Sequence, residues 1–214
     1  ADSPSINWQN RILRDPVGQT HNLTITGGAD NVKMLASFGY FHQPGIVIGT
    51  QYDRYTLNLN TIAKVNKVLS NETIIYIAQG NQSGPGVNGR QAIYSAIKGA
   101  PFIGGGLQTL SDFLNKYLGF GGEYGVDPVI ELRDPKISDR SFTGSLNTAF
   151  TVNFSEHLKL RLSAGFNKDN SIYKSFYPSS TASGHISNGS GNISEGYDFS
   201  WLNENTLNYN NTFK

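Results

Sequence analysis

The chain has 214 residues, 17 basic against 16 acidic side chains and no cysteine. Near-zero net charge argues against a nucleic-acid binder, which carries a basic excess on one face, and the lack of cysteine removes disulfides and thiolate metal sites. A mean hydropathy of -0.35, with nowhere a run of about 20 apolar residues, excludes a helical membrane protein but not a transmembrane barrel, whose alternating strands average to a middling value.

Abundant glycine and 11 Tyr with 12 Phe point to strands joined by turns and polar loops. No start methionine, charged n-region or apolar h-region precedes Ala1, so a signal peptide is expected to be removed or to lie outside this sequence. The first predicted strand spans 20–27, with Leu23 and Ile25 on one side, and Gly27 to Asn31 supplies a turn rich in residues that tolerate positive φ. The second spans 32–41, with Met34, Ala36, Phe38 and Tyr40 on its apolar face. A longer turn from His42 to Tyr52, through Pro44, Gly45 and Gly49, leads to a third at 53–63, where Tyr55, Leu57, Leu59 and Ala63 alternate with Arg54, Thr56, Asn58 and Asn60. Lys64 to Lys67 turns it back into 72–80, whose contiguous Ile74 to Ile77 fits a strand buried on both faces equally well.

A long loop is predicted from 80 to 139, with two short helices inside it. Asn88 precedes Ala92, Ile93, Ala96 and Ile97, stopped at Gly99, and Thr109 or Ser111 caps Leu110, Phe113, Leu114, Tyr117 and Leu118 before Gly119. Loops of this length carrying their own helices are usually functional. The clearest strands follow, at 142–154 and 157–167. On the first, Phe142, Leu146, Phe150, Val152 and Phe154 share a parity. On the second, Leu158, Leu160, Leu162, Ala164 and Phe166 face one way while Lys159, Arg161, Ser163 and Asn167 face the other. Period-two alternation gives each strand one apolar and one polar wall, as a barrel in lipid requires around a hydrated lumen. A second long loop is expected at 168–195, then a strand at 197–213 with Tyr197, Phe199, Trp201, Leu207, Tyr209 and Phe213 on one parity and aromatics gathered at its ends.

The expected fold is all-β: about seven antiparallel strands of a larger transmembrane β-barrel, with long extracellular loops carrying two short helices. Short connections alternate with long ones, and outer-membrane barrels keep short turns on the periplasmic side. The first strand would then descend inward.

The wording of the chain resembles a known family. Asn7-Trp8-Gln9-Asn10-Arg11-Ile12-Leu13-Arg14, Leu23-Thr24-Ile25-Thr26-Gly27-Gly28, Ser37-Phe38-Gly39-Tyr40 with Gln43-Pro44-Gly45-Ile46, and Arg54 to Asn60 resemble the barrel of SusC/RagA-type TonB-dependent transporters of Bacteroidetes outer membranes. Ala92 to Ala96 and Glu204 to Tyr209 resemble the same family's large loop and a following strand. The resemblance implies a barrel of about 22 strands around a plug, import of oligosaccharides or peptides, a SusD-like surface lipoprotein as lid, a TonB contact and transport without catalysis. Homodimerisation and contact with outer-membrane lipid are implied with it. Residues 1–214 would form part of the barrel domain, with plug and TonB box not visible in the sequence.

Candidate solute contacts are Tyr173, Phe176 and Tyr177, expected in the external loop, with Arg54 and Arg161 on the polar parity. A plainer reading pairs Arg54, Lys159, Arg161 and Glu204 with the plug or with one another, and makes Tyr197, Phe199 and Trp201 an interfacial girdle. His21, His42, His157 and His185 lack metal-ligand spacing, and the glycine clusters do not follow a strand into a phosphate-cradling helix. No cofactor is expected. A hydrolase would need serine and histidine converging at the outer rim, where only His42 is well placed. Rival readings are a passive porin-like or structural barrel and a soluble β-sandwich binding module.

Overall fold

The computed structural model describes residues 7–84, 93–94, 97 and 128–212. Seven strands form one antiparallel sheet in sequential order: β1 (Gln19–Ala29), β2 (Val32–Pro44), β3 (Gln51–Lys64), β4 (Leu69–Ser83), β5 (Lys136–Asn153), β6 (Leu158–Tyr177) and β7 (Ser190–Tyr209). A sandwich needs a second sheet packed on the first, whereas the strands of the described residues form this single meander.

Register continuity carries the alternation across all strands. Ile25, Ala36, Leu59, Ile75, Leu146, Phe166 and Trp201 are successive cross-strand partners, and so are Leu23, Phe38, Leu57 and Ile77 one step above. Side chains opposite each other across an antiparallel pair lie on the same face, so these rows build one apolar wall. Its side chains are half-exposed rather than sealed in a core: Leu162 is 40% and Phe166 41% accessible. An extended apolar surface of this kind in an ordinary soluble monomer would be far larger than the usual patch. His21, Tyr40 and Tyr55 stack along its upper edge, with ring centroids 6.1 Å and 5.0 Å apart, and Phe142 and Tyr197 continue the same level. Lower down, polar residues interrupt the wall but satisfy one another, as hydrocarbon demands. Thr73 donates to Asn71 at 3.0 Å and lies 2.9 Å from Thr148, while Asn205 donates to Asn203 at 2.9 Å.

Several strands outrun their expected ends. β6 continues to Tyr177 and β7 begins at Ser190, so the loop expected at 168–195 shrinks to 178–189. β4 reaches Ser83 and β5 starts at Lys136, trimming the 80–139 loop at both ends. The turn expected at His42 to Tyr52 narrows to 45–50, and β7 stops at Tyr209 instead of 213. The physical reason is composition: beyond the aromatic upper edge the strands carry polar residues on both faces, so the amphipathic signal fades while backbone pairing continues. The Ile74 to Ile77 run is a two-faced wall strand, with Ile74 51% accessible on the face opposite Ile75, not a strand buried on both sides. Of the first expected loop helix only Ile93, Tyr94 and Ile97 are described, and they are helical; the second, at 109–118, lies outside the described residues.

The buried core is small and sits at one end of the sheet, beside the long connections. Helix α1 (Trp8–Ile12) is capped by Asn7, whose side chain accepts from the Asn10 amide at 3.1 Å. Trp8 and Ile12 pack with Val47 and with Leu132 of α2 (Pro128–Arg133). The Ile48 amide donates to Ile12 at 2.9 Å and the Arg14 amide to Ile46 at 2.8 Å, while the Arg14 guanidinium closes the β2–β3 loop on the Gly45 and Thr50 carbonyls. Gly49 has φ +78°, and a Cβ there would stand 2.6 Å from the Leu132 carbonyl. Both constraints demand glycine. A short helix, α3 (Ala182–His185), is capped by the buried Thr181, which accepts from the Gly184 amide at 3.1 Å.

Candidate functional site

The polar face changes character along the strands. Near the short turns, Arg161 on β6 reaches Glu72 on β4 at 3.0 Å, with both side chains about half-exposed, and Thr151 lies within 3.5 Å of the same guanidinium. Toward the long connections two rows stand out. One runs Phe41, Arg54, Gly80, Ser141, Ser171, Gly196; the next runs Gln43, Tyr52, Gln82, Asp139, Tyr173, Ser194.

The first row is floored by small residues beside one cation. The Arg54 guanidinium lies 5.8 Å over the Phe41 ring, a cation–π contact, and Phe41 meets Tyr52 at 6.2 Å with rings tilted by 58°. Tyr52 lies across Gly80, where a Cβ would be 3.0 Å from its hydroxyl oxygen. The second row offers two phenols, two amides, a carboxylate and a hydroxyl along one level. Aromatic faces beside amide and carboxylate groups can hold either a sugar or a peptide, by stacking and by hydrogen bonding.

Of the residues singled out from the sequence, Arg54, Tyr173 and Tyr177 share this upper polar face. Tyr173 and Tyr177 lie on β6, not in a loop as expected. Tyr177 is half-buried, and burial pushes its phenol pKa up, with Tyr173 and Glu131 adding to the shift. Phe176 has the other parity, opposite Lys136 and Gly191, and stands on the apolar side. Arg161 belongs to the lower end with Glu72. Sequence reasoning missed Phe41, Tyr52, Gln82 and Asp139. Phe41 ended an expected strand and the others fell in or at the edge of expected loops, and cross-strand register was the only signal that could place them together. His42 pairs with Asp53 at 2.7 Å, and Tyr40 donates to the same carboxylate at 3.2 Å, all on the apolar side of the sheet. That position turns it away from the polar face, where a hydrolytic site would open. Among the described residues no group of three His, Asp or Glu could hold a metal ion.

The fold and the segregation of its two faces define a class: a stretch of antiparallel transmembrane barrel wall. No profile of a known family matches the chain. Over 212 residues it is 27% identical to the TonB-dependent receptor P39 of Formosa agariphila, covering 97% of this chain and 19% of that protein. It is 25% identical over 181 residues to the TonB-dependent receptor SusC of Bacteroides thetaiotaomicron, covering 74% of this chain and 18% of that one. In structure it is similar to the RagAB peptide importer in the closed-closed state, with a TM-score of 0.70 at 17% identity over 98% of this chain and 24% of that one. The chain is thus similar in sequence to TonB-dependent receptors, SusC among them, and in fold to part of RagAB, and it spans about a fifth of the length of the curated relatives it matches.

Proposed function

We propose that the chain forms part of the wall of an outer-membrane, TonB-dependent importer of oligosaccharides or peptides, working with a SusD-like surface lipoprotein as lid. What carries the reading is the two-sided wall: an apolar outer face with an aromatic upper rim, and an inner face whose upper rows concentrate Arg54, Tyr52, Tyr173 and Asp139. Similarity to receptors and a peptide importer along nearly the whole chain supports it. Solute meets the upper polar face first, with Arg54, Tyr173 and Tyr177 as contacts and Tyr52 and Phe41 completing the surface. Arg161, near the short turns, serves the periplasmic end. The TonB contact and the plug belong to other parts of the whole protein, which acts as a transporter rather than an enzyme and pairs as a homodimer.

The test is uptake by cells carrying the intact transporter, with pools of labelled oligosaccharides and peptides, with and without TonB. Loss of uptake on TonB deletion, and a several-fold fall with Tyr52→Ala plus Arg54→Ala, is the expected result. Uptake that persists unchanged without TonB would make the protein a passive pore. Uptake indifferent to the double substitution would remove the upper polar face from recognition.

A further inference from the structure

We infer that the outward face of β5 and β6, above the apolar belt, docks the phosphate-bearing glycolipid headgroups of the outer membrane's outer leaflet. This rests on reading the chain as an outer-membrane wall with its long connections outside. In the sequence the charges of this region cancel, because Asp139 precedes Arg140 and Lys168 precedes Asp169. Strand pleating separates them. Lys168 shares a cross-strand row with Gly144 and Phe199, Arg140 with Asn81 and Ile172, Lys174 with Ser138 and Ile193, and Lys136 with Phe176, all rows of the apolar parity. Asp139 and Asp169 fall on the opposite parity, and so does Asp198, the β7 partner of Asp169. On the outward side of these strands above the belt, Glu195 is the one acid among the described residues.

Two further observations select a lipid. The Lys168 ammonium lies 5.7 Å over the Tyr197 ring, at the upper aromatic rim where headgroups begin. Higher up, Lys136 and Lys174 flank a groove of about 580 Å³ whose floor includes Phe176 and Ile193, which are 45% and 65% accessible. Lys168 and Lys174 are six residues apart, about 20 Å along the strand, so the cations climb from the rim through the headgroup zone. A ladder of cations beside apolar ground matches an amphiphile with several phosphates, whereas an anionic solute in the lumen would meet Asp139, Asp169 and Asp198 instead.

The experiment uses the intact transporter purified from outer membranes, with the quadruple variant Lys136→Gln, Arg140→Gln, Lys168→Gln and Lys174→Gln. Binding is titrated with phosphatidylcholine vesicles carrying phosphorylated lipid A, dephosphorylated lipid A or neither, and separately with inorganic phosphate. Each cation near an anionic leaflet is worth about a fivefold factor in affinity, so the quadruple variant should bind phosphorylated lipid A at least about tenfold more weakly. Asp198→Asn, on the other face, should leave affinity within about twofold. Equal binding by wild type and variant, equal binding of dephosphorylated lipid A, or equal response to inorganic phosphate would each overturn the inference. So would a variant that keeps lipid A but loses the surface lipoprotein, since the patch would then dock protein. Should the quadruple variant not fold, Arg140→Gln with Lys168→Gln and Lys136→Gln with Lys174→Gln are read separately. A loss of about fivefold or more in either pair supports the site, and no loss in both refutes it. Absence of the wild type from the outer-membrane fraction would instead refute the underlying wall reading.

Discussion

Replacing Leu146 with arginine puts a guanidinium into the outward row of Ile75, Leu146 and Phe166. Phe142 and Phe150 lie four residues above and below on the same parity, about 13 Å each way along the strand. At a strand tilt of about 40° that is about 10 Å of depth in each direction, which places Leu146 near the middle of an apolar band about 25 Å tall. Arginine at the midplane of such a wall costs about 2–4 kcal/mol, a factor of about thirty to nearly a thousand in the folding equilibrium. Asn147→Arg, one residue on, points to the polar side and should cost less than about 1 kcal/mol. The assay is reversible urea unfolding of the intact transporter in phospholipid vesicles, read by the heat-modifiable gel shift of the folded barrel. Equal costs for the two variants would refute the assignment of a lipid face, and a reversed order would show that the wall is inside out.

Leu132→Ala removes a side chain only 1% accessible in the terminal core, at a cost of about 2–5 kcal/mol. Because this core stands apart from the membrane belt, hydrogen exchange at the Arg14 and Ile48 amides should accelerate at least about thirtyfold while Leu146 stays protected. Glu72→Gln should change the denaturation midpoint by the equivalent of less than about 1 kcal/mol, because the Glu72 and Arg161 side chains are about half-exposed and such pairs are weak. Tyr177 should titrate above its ordinary 10.0, measured as the phenolate absorbance lost in Tyr177→Phe. The folded state holds this proton more tightly than the unfolded chain, so its contribution is complete below the unfolded value and fades as pH rises through the folded one. A Tyr177 that titrates at or below its ordinary value would contradict its burial beside Glu131.

Within the membrane belt, the alternation of Phe142 to Phe154 and Leu158 to Phe166 was enough to declare strands, faces and the short turn between them, because period-two patterning is a local property of the chain. The order of short and long connections was legible for the same reason. Above the belt that signal ends: Ile172 to Tyr177 and Ser190 to Glu195 carry no clear apolar parity and read as loop, yet they pair residue for residue. Neither face meets hydrocarbon there, so backbone hydrogen bonds, not apolar segregation, keep the strands together. Only the folded register could bring Tyr52, Gln82, Asp139 and Tyr173 into one row, since their level depends on four strands lying in a common alignment. Only pleating could part Arg140 from Asp139 and Lys168 from Asp169. The terminal core likewise depends on contacts between Ile12, Val47 and Leu132, far apart along the chain. The sequence by itself determined a two-faced wall in lipid; tertiary structure decided where its polar face gathers chemistry and where its charges point, because both depend on which residues meet across strands.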